Sequence, residues 1–146
     1  MKTLQITAVM ALLNFGVNAQ DLTIAQVPAK ISTDFQKNYP QAKDVEWEME
    51  ASYYKVEFDL GKFDHEITYD ANGKIVKEEK EVDPKSLPAN LAEMVKSKYP
   101  DYKIDKVEMT KWNNKTSYEV EIEKGWLNER TLIFDNNSKI ISNLAD

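Results

Sequence analysis

The chain has no cysteine, one histidine and four glycines among 146 residues, and each scarcity closes off some chemistry. Without cysteine there is no disulfide framework, no thiol nucleophile and no lipid-anchor residue beside a cleavage site. A single histidine, His65, rules out a pair of imidazoles on zinc, and "HEITY" lacks the second histidine of H-E-x-x-H. Too few glycines remain for a phosphate-cradling loop, and no G-x-S-x-G elbow occurs. Basic residues are also in deficit, with 19 Lys and Arg against 25 Asp and Glu and a net charge of -6. That balance argues against nucleic acid, whose phosphates need a basic face, and against anionic lipid.

The first residues, "MKTLQITAVMALLNFGVNAQ", place one lysine before an uncharged run from Thr3 to Val17, followed by the small-x-small pattern "VNA". This is the pattern of a secretory signal peptide over residues 1–19, too short to span a bilayer. The mature chain is expected to start at Gln20 or Asp21. Losing Lys2 takes the net charge from -6 to -7. Residues 20–146 are expected to form one compact domain held by a packed core.

That domain is written twice. "VPAKISTDFQKNYPQA" (27–42) is echoed by "LPANLAEMVKSKYPDY" (87–102) at a shift of sixty residues. Val27, Ile31, Phe35 and Tyr39 recur as Leu87, Leu91, Val95 and Tyr99, one apolar stripe of a short helix. A proline opens each helix and another closes it (Pro28 and Pro40, Pro88 and Pro100). Alternating segments follow. "DVEWEME", "YKVEFDL", "FDHEITY" and "KIVKEEKEV" are matched by "KVEMTKW", "SYEVEIE", "WLNERTLIF" and "KIIS". A period of two marks strands with one dry and one wet face. The expected fold is α+β: a tandem duplication of one helix plus a four-stranded antiparallel meander, over about 27–82 and 87–146, with both helices on one sheet face.

The turn "YDANGKIV" invites a calcium reading, yet an EF-hand counted from Asp70 would need a ligand at Lys74 and glycine at Ile75. Its echo "FDNNSKII" marks it as a hairpin turn. A looser calcium contact through Asp70 and Asn72, with Asp135 in the second copy, is the metal alternative; otherwise no cofactor is expected.

Catalysis is not expected either. His65 shares strand parity with Phe63, Ile67 and Tyr69, and Arg130 is its counterpart, so both belong to the polar rim of the apolar face. The carboxylates Glu46, Glu48, Glu50, Glu57, Asp59, Asp64 and Glu66, with Glu119, Glu121, Glu123 and Glu129, have outward parity. Interleaved lysines suggest a solvated face, without the burial that raises a catalytic acid's pKa. Such a face suits a protein or peptide partner with a basic surface. Tyr53 and Trp112 are the candidate anchors, with Glu57, Asp59, Glu119 and Glu121 as acidic contacts. Trp47 reads as core, and Trp126 as a cap on the core edge.

The order "VP…F…YP.A..V.W", "YYKVEFD", "YDANGKI", "LP…YP" resembles the exported PepSY-like, β-lactamase-inhibitor-like family of Bacteroidetes type, from Val27 to about Ile141. The resemblance implies tandem helix-plus-sheet units, a periplasmic or secreted location in a Gram-negative cell, and binding or inhibition through the sheet face and its hairpin loops. The pattern marks core and turn positions (Trp47, Tyr54, Phe58, Asp70, Gly73) and carries over no inhibitory residue. The second copy departs from it: Ser138 replaces the turn glycine, and no tryptophan follows Val107 at the Val45–Trp47 spacing. The leading expectation is therefore an exported, non-catalytic binding module, inhibitor-like, with no membrane insertion after signal cleavage. The alternatives are a calcium-responsive periplasmic protein and a hydrolase using surface carboxylates.

Overall fold

A computed structural model describes residues 19–145. Residues 1–18, nearly all of the expected signal peptide, lie outside the described residues. Among the described residues no helix is long and apolar enough to cross a membrane.

The strands are β1 (Gln20–Leu22), β2 (Lys43–Glu50), β3 (Tyr53–Leu60), β4 (Phe63–Tyr69), β5 (Ile75–Val82), β6 (Lys103–Trp112), β7 (Lys115–Lys124), β8 (Asn128–Phe134) and β9 (Ile140–Ala145). They form one antiparallel sheet in sequence order, β1 to β9. Helix α1 (Ala29–Asn38) precedes β2, and α2 (Ala89–Lys98) precedes β6. Pro28 and Pro88 stand at the helix N-caps, and Tyr39 and Tyr99 at the C-caps.

Each helix packs on the sheet through the stripe seen in the sequence. Ile31 and Phe35 meet Trp47, Val56, Phe58, Ile67 and Tyr69. Leu91 and Val95 meet Val107, Val120, Ile122, Leu132 and Phe134. The inward parity of the strands runs unbroken through His65, Lys80 and Met109, so both helices lie on the same face. The first core is aromatic: Phe35 makes edge contacts with Trp47 and Phe58, at centroid distances of 5.3 and 5.0 Å. The second is aliphatic apart from Phe134 and flanking tyrosines.

Three details differ from the sequence reading. The short strand β1 pairs with β2, Leu22 opposite Trp47; three residues carry too little periodicity to announce a strand. Register places Val107, not Met109, where Trp47 stands in the first unit. Trp47 faces Val56, and Val107 faces Val120, 64 residues further on. Both units carry an irregularity just before this point, between Lys43 and Glu46 and between Ile104 and Lys106, so β2 and β6 keep the sixty-residue shift of the helices; in β2 Asp44 takes φ 48° there. Val45 stays on the helix side but at its rim, in a groove with Phe35, Tyr39 and Trp47, and is 38% exposed.

The seam between the units is the β5–β6 pairing, from Lys77 opposite Trp112 to Val82 opposite Val107. A charged stretch becomes an interior strand because only half its residues face the helices. The "YDANGKIV" turn is built by its own side chain: Asp70 Oδ1 accepts the N–H groups of Asn72 and Lys74, each at 2.9 Å. Asp135 does the same for Asn137 and Lys139. Both turns are tied to a helix. Lys30 Nζ donates to the Asn72 carbonyl at 2.7 Å, and Asn90 Nδ2 to Ser138 Oγ at 3.0 Å.

Candidate functional site

The helix-free face of the sheet carries an unusual charge pattern. Antiparallel register sets Glu46 opposite Glu57, Glu57 opposite Glu66, and Glu66 opposite Glu79, one glutamate on each of four adjacent strands. A second row runs Glu81, Glu108, Glu119 across β5, β6 and β7, while Asp59 faces Asp64. Like charges directly opposite in a sheet repel, so each row needs compensation.

Three lysines supply part of it. Lys55 Nζ lies 2.7 Å from Glu48 and 2.9 Å from Glu57, with Glu66 at 3.9 Å. Lys77 is ion-paired with Glu79 and reaches Glu66 at 3.6 Å. Lys106 lies 3.9 Å from Glu81. Thr110 Oγ1 donates to Glu79 Oε1 at 3.3 Å.

These groups are not on an open, solvated plane, which corrects the sequence reading. The side chain of Glu66 is 15% exposed and that of Glu79 only 9%. A cavity of about 330 Å³ opens here, lined by the first glutamate row, by Glu81 and Glu108 of the second, and by Asp59, Asp64 and Lys106. Burial, then the field of Glu79, pushes the Glu66 carboxyl up to about 8. Burial, reinforced by Glu108 and Glu121, pushes Glu119 up to about 7. Glu108 and Glu81 are raised for the same first reason. Burial opposes the charge on Lys55, but its bonds to Glu48 and Glu57 and the nearby Glu66 outweigh that and hold the ammonium above its ordinary range.

Of the four acidic contacts expected from the sequence, Glu57 and Asp59 line this cavity, together with the outward carboxylates Glu46, Asp64 and Glu66. Glu119 and Glu121 continue the face on β7, opposite Glu108 and Lys106. Sequence reading missed Glu79, Glu81, Lys77, Lys106 and Glu108 as part of it. Parity within β5 could have found the first three; the β5–β6 pairing that brings β6 alongside could not be read locally.

Tyr53 and Trp112 are 39% and 42% exposed. They stand at the same end of the face, on β3 and β6, with two strands between them. Strand spacing separates them by about 14 Å, so they are two points of a surface and not one cluster. Ile75, 42% exposed, joins Trp112 in a groove on the seam. Trp126 does not cap the core. With Leu127 it occupies the β7–β8 turn after Gly125, 98% and 90% exposed.

His65 stacks on Phe58 at 5.2 Å, and burial lowers its pKa, assisted by Lys80. Arg130 donates from Nη1 to Asn143 Oδ1 at 2.9 Å. Among the described residues no group of three Asp, Glu or His side chains is arranged to hold a metal ion. The Asp70 carboxylate serves backbone N–H groups, which hold its pKa below the usual range.

The chain matches the model of the family described as "Putative beta-lactamase-inhibitor-like, PepSY-like" over residues 16–77 and 52–142. No match was found among curated proteins. Among solved structures it is similar to a DUF2874 family protein from Bacteroides uniformis, with 20% identity, a TM-score of 0.61, and 82% of this chain and 89% of that one covered. It is also similar to a BLIP-like protein from Bacteroides fragilis, with 23% identity, a TM-score of 0.56, and coverage of 80% and 84%. A third, described as "putative periplasmic proteins" from Bacteroides eggerthii, shares 15% identity with a TM-score of 0.63 over 82% and 88%. At these identities the likeness is one of fold.

Proposed function

Because the chain belongs to the PepSY-like, β-lactamase-inhibitor-like family, we propose that it is an exported, non-catalytic binding module, inhibitor-like, that holds a protein or peptide with a basic surface on its helix-free sheet face. The observation that carries this reading is the pair of carboxylate rows, ion-paired among the described residues to three lysines. A partner's lysine or arginine would relieve repulsion that the sheet itself leaves partly uncompensated. Such complementarity speeds association and fades with salt. Tyr53 and Trp112, at one end of the face, would add apolar contact area.

The reading includes a periplasmic or secreted location and descent of the two units from one duplicated unit. It assigns no role to a metal. Capture from the parent cell envelope tests it: wild type should retain a basic protein that a Glu57→Gln/Glu119→Gln variant and a Tyr53→Ala/Trp112→Ala variant release at lower salt. Equal retention by all three proteins would overturn it.

One observation favours the hydrolase alternative: a carboxyl raised to about 8 within a cavity is the state of a general acid. Against it, Glu66 lies between Lys55 at 3.9 Å and Lys77 at 3.6 Å, held in an ion-pair network. A substrate screen with Glu66→Gln as control separates the two readings.

A further inference from the structure

The charge count at the centre of the helix-free face does not close. Lys55 and Lys77 are shared among Glu48, Glu57, Glu66 and Glu79, so full ionisation would leave an excess of two negative charges. Solvation of that excess is unequal. Glu57 and Glu48 are 41% and 25% exposed at the side chain, against 15% for Glu66 and 9% for Glu79. The two least solvated groups are also direct cross-strand partners, and their carboxyl groups lie within hydrogen-bonding reach of each other. Two ionised carboxylates have no proton with which to make that bond.

We propose that Glu66 and Glu79 share one proton at neutral pH, forming a carboxyl–carboxylate pair that makes the charge of this face respond to pH near neutrality. The inference concerns the face itself and stands apart from the partner reading. The proton satisfies the hydrogen bond and reduces the local excess from two charges to one. Lys77, paired with Glu79 and 3.6 Å from Glu66, stabilises the remaining charge, and the Thr110 hydroxyl donates to Glu79 from β6. The same groups explain why the pair keeps one proton and not two.

The surroundings fix the direction of the response. On β3 the pair faces Lys55 and Glu57; on β5, Lys77 and Glu81; on β6, Lys106 and Glu108. Farther out lie Glu46 and Glu48 on β2, Asp64 on β4, and Glu119 and Glu121 on β7. The three nearest strands each set one lysine against one glutamate, and the groups farther out are all carboxylates, so the summed field retains the proton. Loss of the proton in mildly alkaline solution adds one negative charge at the centre of the β4–β5 pairing, next to the seam that joins the two units. His65 and Lys80 pair across the same two strands but point to the helix face.

Carbon-13 NMR of the glutamate carboxyl groups, from pH 4 to 10, tests this on the wild-type chain. The pair should show a titration step between about 7 and 9, a macroscopic step belonging to the two groups together. Glu79→Gln should lower the Glu66 midpoint by about one unit or more, because a like charge has been removed. Glu57→Gln, farther from the pair and more solvated, should move it less. Two midpoints below about 6 in the wild type would overturn the proposal. So would a Glu66 midpoint unmoved in Glu79→Gln, because burial alone would then account for the retained proton.

Discussion

Lys77 stands directly opposite Trp112 across the β5–β6 seam, while its ammonium group turns to Glu79 and Glu66. One residue thus links the exposed aromatic at the end of the face to the glutamate rows at its centre. It does so on the pairing that joins the two cores.

The raised carboxyls give stability a definite pH dependence. Glu66, near 8, and Glu119, near 7, bind protons more tightly folded than unfolded, where the ordinary value is 4.5. Their contribution is fully present below the unfolded value and is lost as pH rises through the folded one. The urea midpoint should therefore fall between pH 5 and pH 8.5. Asp70 and Asp101, held low by hydrogen bonds, act in the opposite sense only below about pH 4. His65, held low by burial, does so only below its ordinary 6.5, where the raised Glu81 and Glu108 add to the fall. A midpoint that rises from pH 5 to 8.5 would contradict this assignment.

The two cores should unfold together, because six residue pairs on β5 and β6 join them. Phe35→Ala removes a ring buried against Trp47 and Phe58 and should cost about 3–5 kcal/mol. The loss should appear equally in Trp fluorescence and in far-UV circular dichroism. Two separated transitions would mean that the seam does not couple the units.

The matched turns should respond differently to substitution. Gly73 has φ +80°, and an added Cβ would sit 3.4 Å from Ile31 Cγ1, so Gly73→Ala should destabilise by about 1–2 kcal/mol. Ser138 holds φ 62° in the matching turn. Ser138→Gly relieves that strain but loses the bond from Asn90, so its effect should be much smaller. Thermal melting of both variants checks the contrast.

Calcium at millimolar concentration should leave the melting temperature unchanged in wild type and in Asp70→Ala alike, since Asp70 Oδ1 is engaged by two backbone N–H groups. A stabilisation that grows with calcium and disappears in Asp70→Ala would restore the ion reading.

Trp126→Ser and Leu127→Ser should change stability by less than about 0.5 kcal/mol, as exposed substitutions do, because both side chains are almost wholly solvated. Denaturant titration checks this, and a loss above about 1 kcal/mol would mean the pair packs on the fold.

By itself the sequence determined the helices, eight of the nine strands and the identity of most core residues. Those depend on local periodicity: Ile31 and Phe35 on one helical stripe, Val56 and Phe58 on one strand face. The echo of "YDANGKIV" in "FDNNSKII" was equally legible, since both turns are held by their own aspartate. Trp126 misled, because parity assigns a face only inside a strand, and this residue lies in the turn beyond β7.

Tertiary structure alone decided the character of the helix-free face. Sequence parity placed Glu57 and Glu66 outward and read outward as solvated. Pairing then set Glu66 against Glu79 and brought Glu108 and Lys106 alongside from the second unit. Solvation and proton affinity depend on which strands become neighbours, and β5 and β6 become neighbours only when the chain closes the loop through α2. A row of charges that one strand presents to water becomes, across four strands, a partly buried network with too few lysines for its carboxylates.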